Sequence, residues 1–170
     1  MSVETLFLQF SVDKLRQFTD RIEICLSTLT DEQIWARGGE NENAIGNLAL
    51  HLTGNVRQWI VTSLGNDPVK RDRDSEFSAR GGRSSAELTA TLRDTVERAA
   101  RIIAGLGTDQ LTHTYEIQNY CVSGVEVVYH VVEHFAQHTG QIIFATKMLA
   151  GSDLGFYRHL RNADATDQTP

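Results

Sequence analysis

The residues most able to do chemistry near neutral pH are six histidines: His51, His113, His130, His134, His138 and His159. Three of them follow the spacing His130-x-x-x-His134-x-x-x-His138. On a helix, a step of four residues rises about 6 Å and turns about 40° past a full turn, so neighbouring imidazoles in such a row can reach one ion. Imidazole suits divalent transition metals, and a catalytic ion takes three protein ligands and keeps one place open. The third ligand must then come from elsewhere in the chain. His51 is the candidate, on condition that its helix is adjacent to the helix carrying the row, which periodicity does not show.

Position around each helix bears on this reading. At about 100° per residue, the apolar stripe of the segment carrying the row centres near Val128, Phe135 and Ile142. His134 and His138 fall to one side of it, on a flank shared with His130 and Gln141. His51 falls at the border of its own stripe, one turn from Leu48 and Asn55. A border position reaches an inter-helix groove while staying open to solvent. Taken singly, each of these histidines also reads as a capped or solvated side chain. His113 and His159 lie outside the periodic segments and read as surface groups.

Four segments have the period of an amphipathic helix and must position these groups. The first covers 3–29 and carries Val3, Leu6, Phe7, Phe10, Leu15, Phe18, Ile22, Leu26 and Leu29. Thr30-Asp31-Glu32-Gln33 then has capping-box spacing for a short turn, with Ile34 and Trp35 tucked against the bundle. The second covers 43–64, with Asn43 as N-cap, and ends at Gly65-Asn66-Asp67-Pro68. Residues 65–83 have no period and read as a crossover. The third opens on the Ser84/Glu87 spacing and repeats Leu88, Leu92, Val96, Ala99, Ile103 and Leu106. Residues 108–122 alternate weakly and read as an extended loop. The fourth covers 123–150, opened by Ser123/Glu126 and stopped by Gly151. The expectation is an all-α four-helix bundle over residues 1–151, followed by a loose tail at 152–170.

With 170 residues, the chain can bury its own core as one domain. Its formal net charge of −6 and the absence of a long basic run argue against nucleic acid as a partner. The start, MSVETLFLQF, lacks the basic and apolar regions of a signal peptide. No stretch approaches the roughly 20 apolar residues of a membrane span. A cytoplasmic protein without membrane contact is expected, with Cys25 and Cys121 as buried free thiols.

Two stretches are more specific. Residues 43–55 read NAIGNLALHLTGN, and residues 130–142 read HVVEHFAQHTGQI. They resemble the DinB-like superfamily, in which one histidine on the second helix and a His-x-x-x-His on the fourth bind a divalent ion. The HLTGN stretch with RDRDSEF at 71–77 resembles one uncharacterised subfamily, and with the TDEQIW turn the resemblance covers most of residues 1–150. Carried over by position, His51, His134 and His138 are the implied metal ligands, with zinc or nickel foremost among the metals three imidazoles suit. Many members have two adjacent histidines before the Gly-Gln-Ile run; here Gln137 precedes His138, and no implied ligand is lost. The resemblance also implies a DinB/YfiT-like up-down-down-up order, a long crossover between helices two and three, and frequent homodimers. Characterised members include metal-dependent transferases that act with low-molecular-weight thiols such as bacillithiol and mycothiol.

Three functions compete. In an S-transferase, the ion holds a low-molecular-weight thiol as thiolate for attack on an electrophilic small molecule. In a hydrolase, the ion activates water, but the helices offer no clear general base. The third reading is a non-catalytic metal-binding or dimerisation bundle in a stress response. Gln141 either orients a ligand or stays solvated, and Glu133 reads as a salt-bridging surface residue. Arg71-Asp72-Arg73-Asp74 either lines a pocket mouth and binds a substrate carboxylate, or pairs with itself in solvent; Arg57 is a weaker candidate for that contact. Trp35 and Trp59 either floor a pocket or pack in the core.

Overall fold

A computed structural model describes residues 1–158. The expectation for His159, and that for the tail beyond residue 158, lie outside the described residues. In chain order the elements are α1 (Val3–Thr28), the short α2 (Asp31–Ile34), α3 (Ile45–Val56) and a π-helical continuation of α3 (Arg57–Thr62). A short α4 (Arg73–Ser78), α5 (Ser85–Ala104) and a single turn, α6 (Thr108–Thr112), follow. A hairpin of β1 (Thr114–Ile117) and β2 (Tyr120–Ser123) leads into α7 (Gly124–Ala150).

The four long helices, α1, α3, α5 and α7, form the up-down-down-up bundle. Of the long helices, each of α1 and α3 packs against α5 and α7, so α1 and α3 lie across the bundle from one another. The core is the apolar period made solid: Leu15, Ile22, Leu26, Leu52, Val56, Leu92, Val96, Ile103, Phe135 and Ile142 are all buried. Burying one such side chain is worth about 1.5–3 kcal/mol. Phe18 of α1 stacks on Phe135 of α7 at 6.4 Å between ring centres. Among the described residues, no helix is long and apolar enough to cross a membrane.

The three predicted capping boxes are formed: Thr30–Gln33, Ser84–Glu87 and Ser123–Glu126 each exchange side-chain and backbone hydrogen bonds. Gly151 ends α7 in the left-handed region at φ 61°. The cap of α3 differs from expectation. It is Ala44 rather than Asn43, and its backbone N–H donates to Oδ1 of the buried Asn47, 3.1 Å away.

Other expectations are corrected. The crossover is not wholly irregular, because Asp72 Oδ1 accepts from Ser75 N at 3.1 Å and starts α4. Residues 108–122 are not an extended loop. They form α6 and an antiparallel hairpin pairing Thr114 with Ser123 through Ile117 with Tyr120. Its two turn residues, Gln118 and Asn119, both have positive φ (51° and 68°), the geometry that matches the twist of paired strands. Cys121 rides on β2 and is exposed, whereas Cys25 is buried as expected. Val3, Leu6, Phe10, Val125 and Leu149 share the apolar period but are exposed.

Candidate metal centre

His51 comes from the middle of α3, and His134 and His138 from successive turns of α7. Since α3 and α7 pack together, the condition set by the sequence is met. One ring nitrogen from each histidine lies within 4.8 Å of those of the other two, and Nε2 of His51 is 2.9 Å from Nε2 of His134. The rings meet edge to face, with centres 4.5–5.1 Å apart. His130, next in the row, stands apart from this cluster; its ring lies between Trp59, at 4.1 Å, and His134, at 5.5 Å.

The outward nitrogens are engaged in ways that aim the others inward. His51 Nδ1–H donates to Glu76 Oε2 at 3.0 Å, and His138 Nδ1–H donates to Gln141 Oε1 at 2.7 Å. Each bond leaves the Nε2 lone pair free for an ion, the arrangement in which an outer carboxylate or amide fixes the tautomer of a ligating imidazole. Glu76 is itself gripped by Arg71: Nε donates to Oε1 and Nη2 to Oε2, each at 2.7 Å. This two-pronged pair is nearly dry, with side-chain exposures of 8% for Arg71 and 9% for Glu76. Arg71 Nη1 also donates to Gln58 Oε1 at 3.0 Å, and the hairpin tip reaches the same oxygen through Gln118 Nε2 at 2.8 Å.

Two features make room for this layer. Gly54 is one turn beyond His51, and a Cβ there would come within 1.9 Å of Glu76 Oε1 and 2.8 Å of Arg71 Nε. The fully buried Asn47 pins α4 to α3 by donating to the carbonyls of Glu76 (2.8 Å) and Ala79 (3.0 Å). Beyond Val56 the helix widens to i+5 pairing, which shifts later side chains relative to the α period; π turns of this kind recur at functional sites. Gln58 and Trp59 stand on that segment, both beside the centre.

Electrostatics favour neutral rings at His134 and His138 and an ionised Glu76. Burial pushes His134 down, and the neighbouring charges of His138, His51, His130 and Arg71 push the same way, to about 3. Burial also lowers His138, against its hydrogen bond to Gln141, and lowers His130, against the charge of Glu133. Burial alone would raise the Glu76 carboxyl, but hydrogen bonds and charges from Arg71 and His51 outweigh it and hold it below the usual range. Three imidazoles backed by a carboxylate suit a divalent transition ion, and the cluster could hold one.

The cluster is reachable from two sides. A chamber of about 660 Å³ opens beside His51 and His134, and a second cleft of about 710 Å³ reaches His51, His134 and His138. Trp59 is both core and wall of the first, so its two sequence readings are reconciled; Trp35 instead packs on Gly46 and donates to the Arg83 carbonyl at 2.9 Å. Arg71 to Asp74 do not pair with one another in solvent: Arg71 is buried on Glu76, and Arg73 lies over the Phe77 ring at 4.8 Å, lining both cavities. Arg57 lines a cavity that holds none of the three histidines. Glu133 makes no ion pair among the described residues and lines the chamber. His113 is exposed, as expected. The sequence reading missed Glu76, Asn47 and Gln58. The available signal was Gly54 on the same helix face as His51, a gap where a second segment has to enter.

A helical bundle of this order has the fold of solved proteins described as DinB-like. The chain belongs to the family described as a protein of unknown function, DUF1572, whose model matches residues 2–160. Solved structures share the fold at low identity. A conserved protein from Enterococcus faecalis has a TM-score of 0.71 at 14% identity, covering 89% of this chain and 99% of its own. A DinB-like protein from Bacillus cereus ATCC 10987 gives 0.65 at 17%, covering 87% and 93%. A DinB-like protein from Bacillus subtilis gives 0.66 at 14%, covering 86% and 96%. No curated protein matches the sequence significantly.

Proposed function

We propose that this protein is a metal-dependent S-transferase. It holds one divalent ion, zinc or nickel, through His51, His134 and His138, and joins a low-molecular-weight thiol to an electrophilic small molecule. The supporting observation is the convergence of three imidazoles from two helices, two of them, His51 and His134, lining an open chamber. An ion held by these three imidazoles would lower the pKa of a bound thiol and so supply thiolate near neutral pH. The thiol gives up its proton to solvent, its sulfur bonds to the electrophilic carbon, and the leaving group departs with the bonding pair. Glu76 and Gln141 hold the His51 and His138 rings, Arg71 holds Glu76, and Trp59 shields one wall from water. Hydrolysis is less favoured: the carboxylate touching the cluster is spent on Arg71 and His51 and is a poor general base.

The homodimer implied by the resemblance belongs to the same reading. Exposed Leu6 and Phe10 on α1, and Phe144 and Met148 on α7, offer it apolar surface on two helices that pack together.

The test uses protein purified without a histidine tag or chelator. Elemental analysis should find close to one first-row metal per chain, and metal-replete protein should conjugate thiols to a monochlorobimane-like electrophile. Chelation should abolish the conjugation. Failure to take up added Zn²⁺ or Ni²⁺ removes the site. Stoichiometric metal without turnover across thiols and esters leaves a metal-binding bundle.

A further inference from the structure

The chamber beside the histidines differs from the rest of the surface in two ways. Its rim gathers large side chains that a solvated wall does not need: Tyr120 of β2 is 62% exposed, Tyr129 of α7 61%, and Val125 of α7 41%. Exposed apolar groups scattered singly are ordinary, but several lining one concavity mark a binding site. Trp59 closes the inner wall, and its buried indole N–H has no hydrogen-bond partner among the described residues. A volume of about 660 Å³ falls in the range of small-molecule sites, about 300–1,000 Å³.

Charge selects among small molecules. Two cations line the chamber. The guanidinium of Arg71 is spent on Glu76 and Gln58. Arg73 has no carboxylate partner among the described residues and only the face of Phe77 beneath it. It lines both the chamber and the second cleft, and so stands where the two meet at the histidines. Of the two carboxylates on the α7 side, Glu126 is spent on the Ser123 cap and Glu133 is unpaired, which makes that side the wrong end for an anion.

We infer that this chamber binds a flat apolar or aromatic small molecule carrying one anionic group, its ring system against Trp59, Tyr120 and Tyr129 and its anion on Arg73. Arg73 and Tyr129 are then specificity-determining residues. Identifying this molecule as the electrophile rests on the transferase reading; its binding does not.

The test is calorimetric titration with 2-naphthalenesulfonate, an anion that ligates metals poorly, and with methyl 2-naphthyl sulfone, its neutral counterpart. The sulfonate should bind more tightly than the sulfone. Arg73→Gln, at an exposed position, should weaken the sulfonate about tenfold, as expected for loss of a charge-assisted contact, and leave the sulfone within about twofold. Tyr129→Ser should weaken both about fivefold. His134→Ala, which should lose the ion, should still bind the sulfonate. Binding that survives in a protein without conjugation keeps the chamber and withdraws only the electrophile's role. Absent sulfonate binding, equal affinity for the two probes, or no effect of Arg73→Gln overturns the inference.

Discussion

His134 and His138 stand on successive turns of α7, a regular helix opened by a capping box and closed by a left-handed glycine. On the opposite side of the centre, His51 is oriented by Glu76 and Arg71, which belong to a crossover whose one helix is six residues long. The α7 side achieves its geometry by repetition: a four-residue step is sufficient to align two imidazoles. The crossover side has no repeat to rely on and fixes its geometry with polar contacts, including the bidentate Arg71–Glu76 pair, the Asn47 anchor and the space left by Gly54. A regular element can supply ligands cheaply, while an irregular one needs dense hydrogen bonding to hold a single orienting group.

The sharpest way to break this contrast is at the proposed ligands. His134→Ala should abolish metal uptake while α7 stays helical, since alanine is the best helix former. Elemental analysis and circular dichroism check both halves. Retention of a stoichiometric ion would mean that the α7 row is not the ligand set.

Acid should act nearly as strongly. Held near 3 by burial and then by neighbouring charges, the folded His134 binds a proton less readily than an unfolded histidine at 6.5. The unfolded chain therefore takes up more protons, and the metal-free fold should lose stability as pH falls from about 6.5 toward 3, with no gain from this group above that window. Melting temperatures against pH should show a shallower fall in His134→Ala than in the wild type. In metal-loaded protein, protons compete for the same nitrogens, so the ion should be released over the acidic side of neutrality.

On the crossover side, Glu76→Gln should weaken metal affinity about 10–100-fold, the usual effect of removing a group that orients a ligating histidine. It also leaves the buried Arg71 guanidinium without its counter-charge, so a stability loss of about 3–5 kcal/mol is expected. Gly54→Ala reaches the same pair from the other side, because its Cβ would collide with Glu76 Oε1; its metal affinity should fall with the histidines untouched. Competition titrations with a chelating dye measure both variants. Wild-type affinity in both would reduce the crossover to a passive connection.

The same contrast explains what could be read from the sequence. The four long helices, three capping boxes and the glycine stop were legible because each depends on contacts three or four residues apart. His51, His134 and His138 were legible as flank residues, but their meeting depended on α3 lying beside α7, a fact of packing. Glu76 was not legible, because a single acidic residue in RDRDSEF has no periodicity to separate it from its neighbours. The hairpin was missed because its strands are four residues each and its turn is Gln118-Asn119 rather than a glycine pair. Exposed Phe10 and Cys121 show the opposite error: residue type argued for burial where the fold leaves the side chain exposed.

Gln141 tests the contrast at its weakest point, because it is the one orienting contact on the α7 side. It is exposed, sits three residues from His138, and accepts a single neutral hydrogen bond of 2.7 Å. A net contribution of about 0.5–1.5 kcal/mol corresponds to about two- to tenfold in metal affinity for Gln141→Ala, with no measurable change in melting temperature of the metal-free protein. The helix already restricts the His138 ring through its rotamers, so water can take over the glutamine's contact at little cost. If Gln141→Ala weakens the ion as much as Glu76→Gln does, the regular side depends on its orienting group as heavily as the irregular side, and the difference between them lies only in sequence pattern.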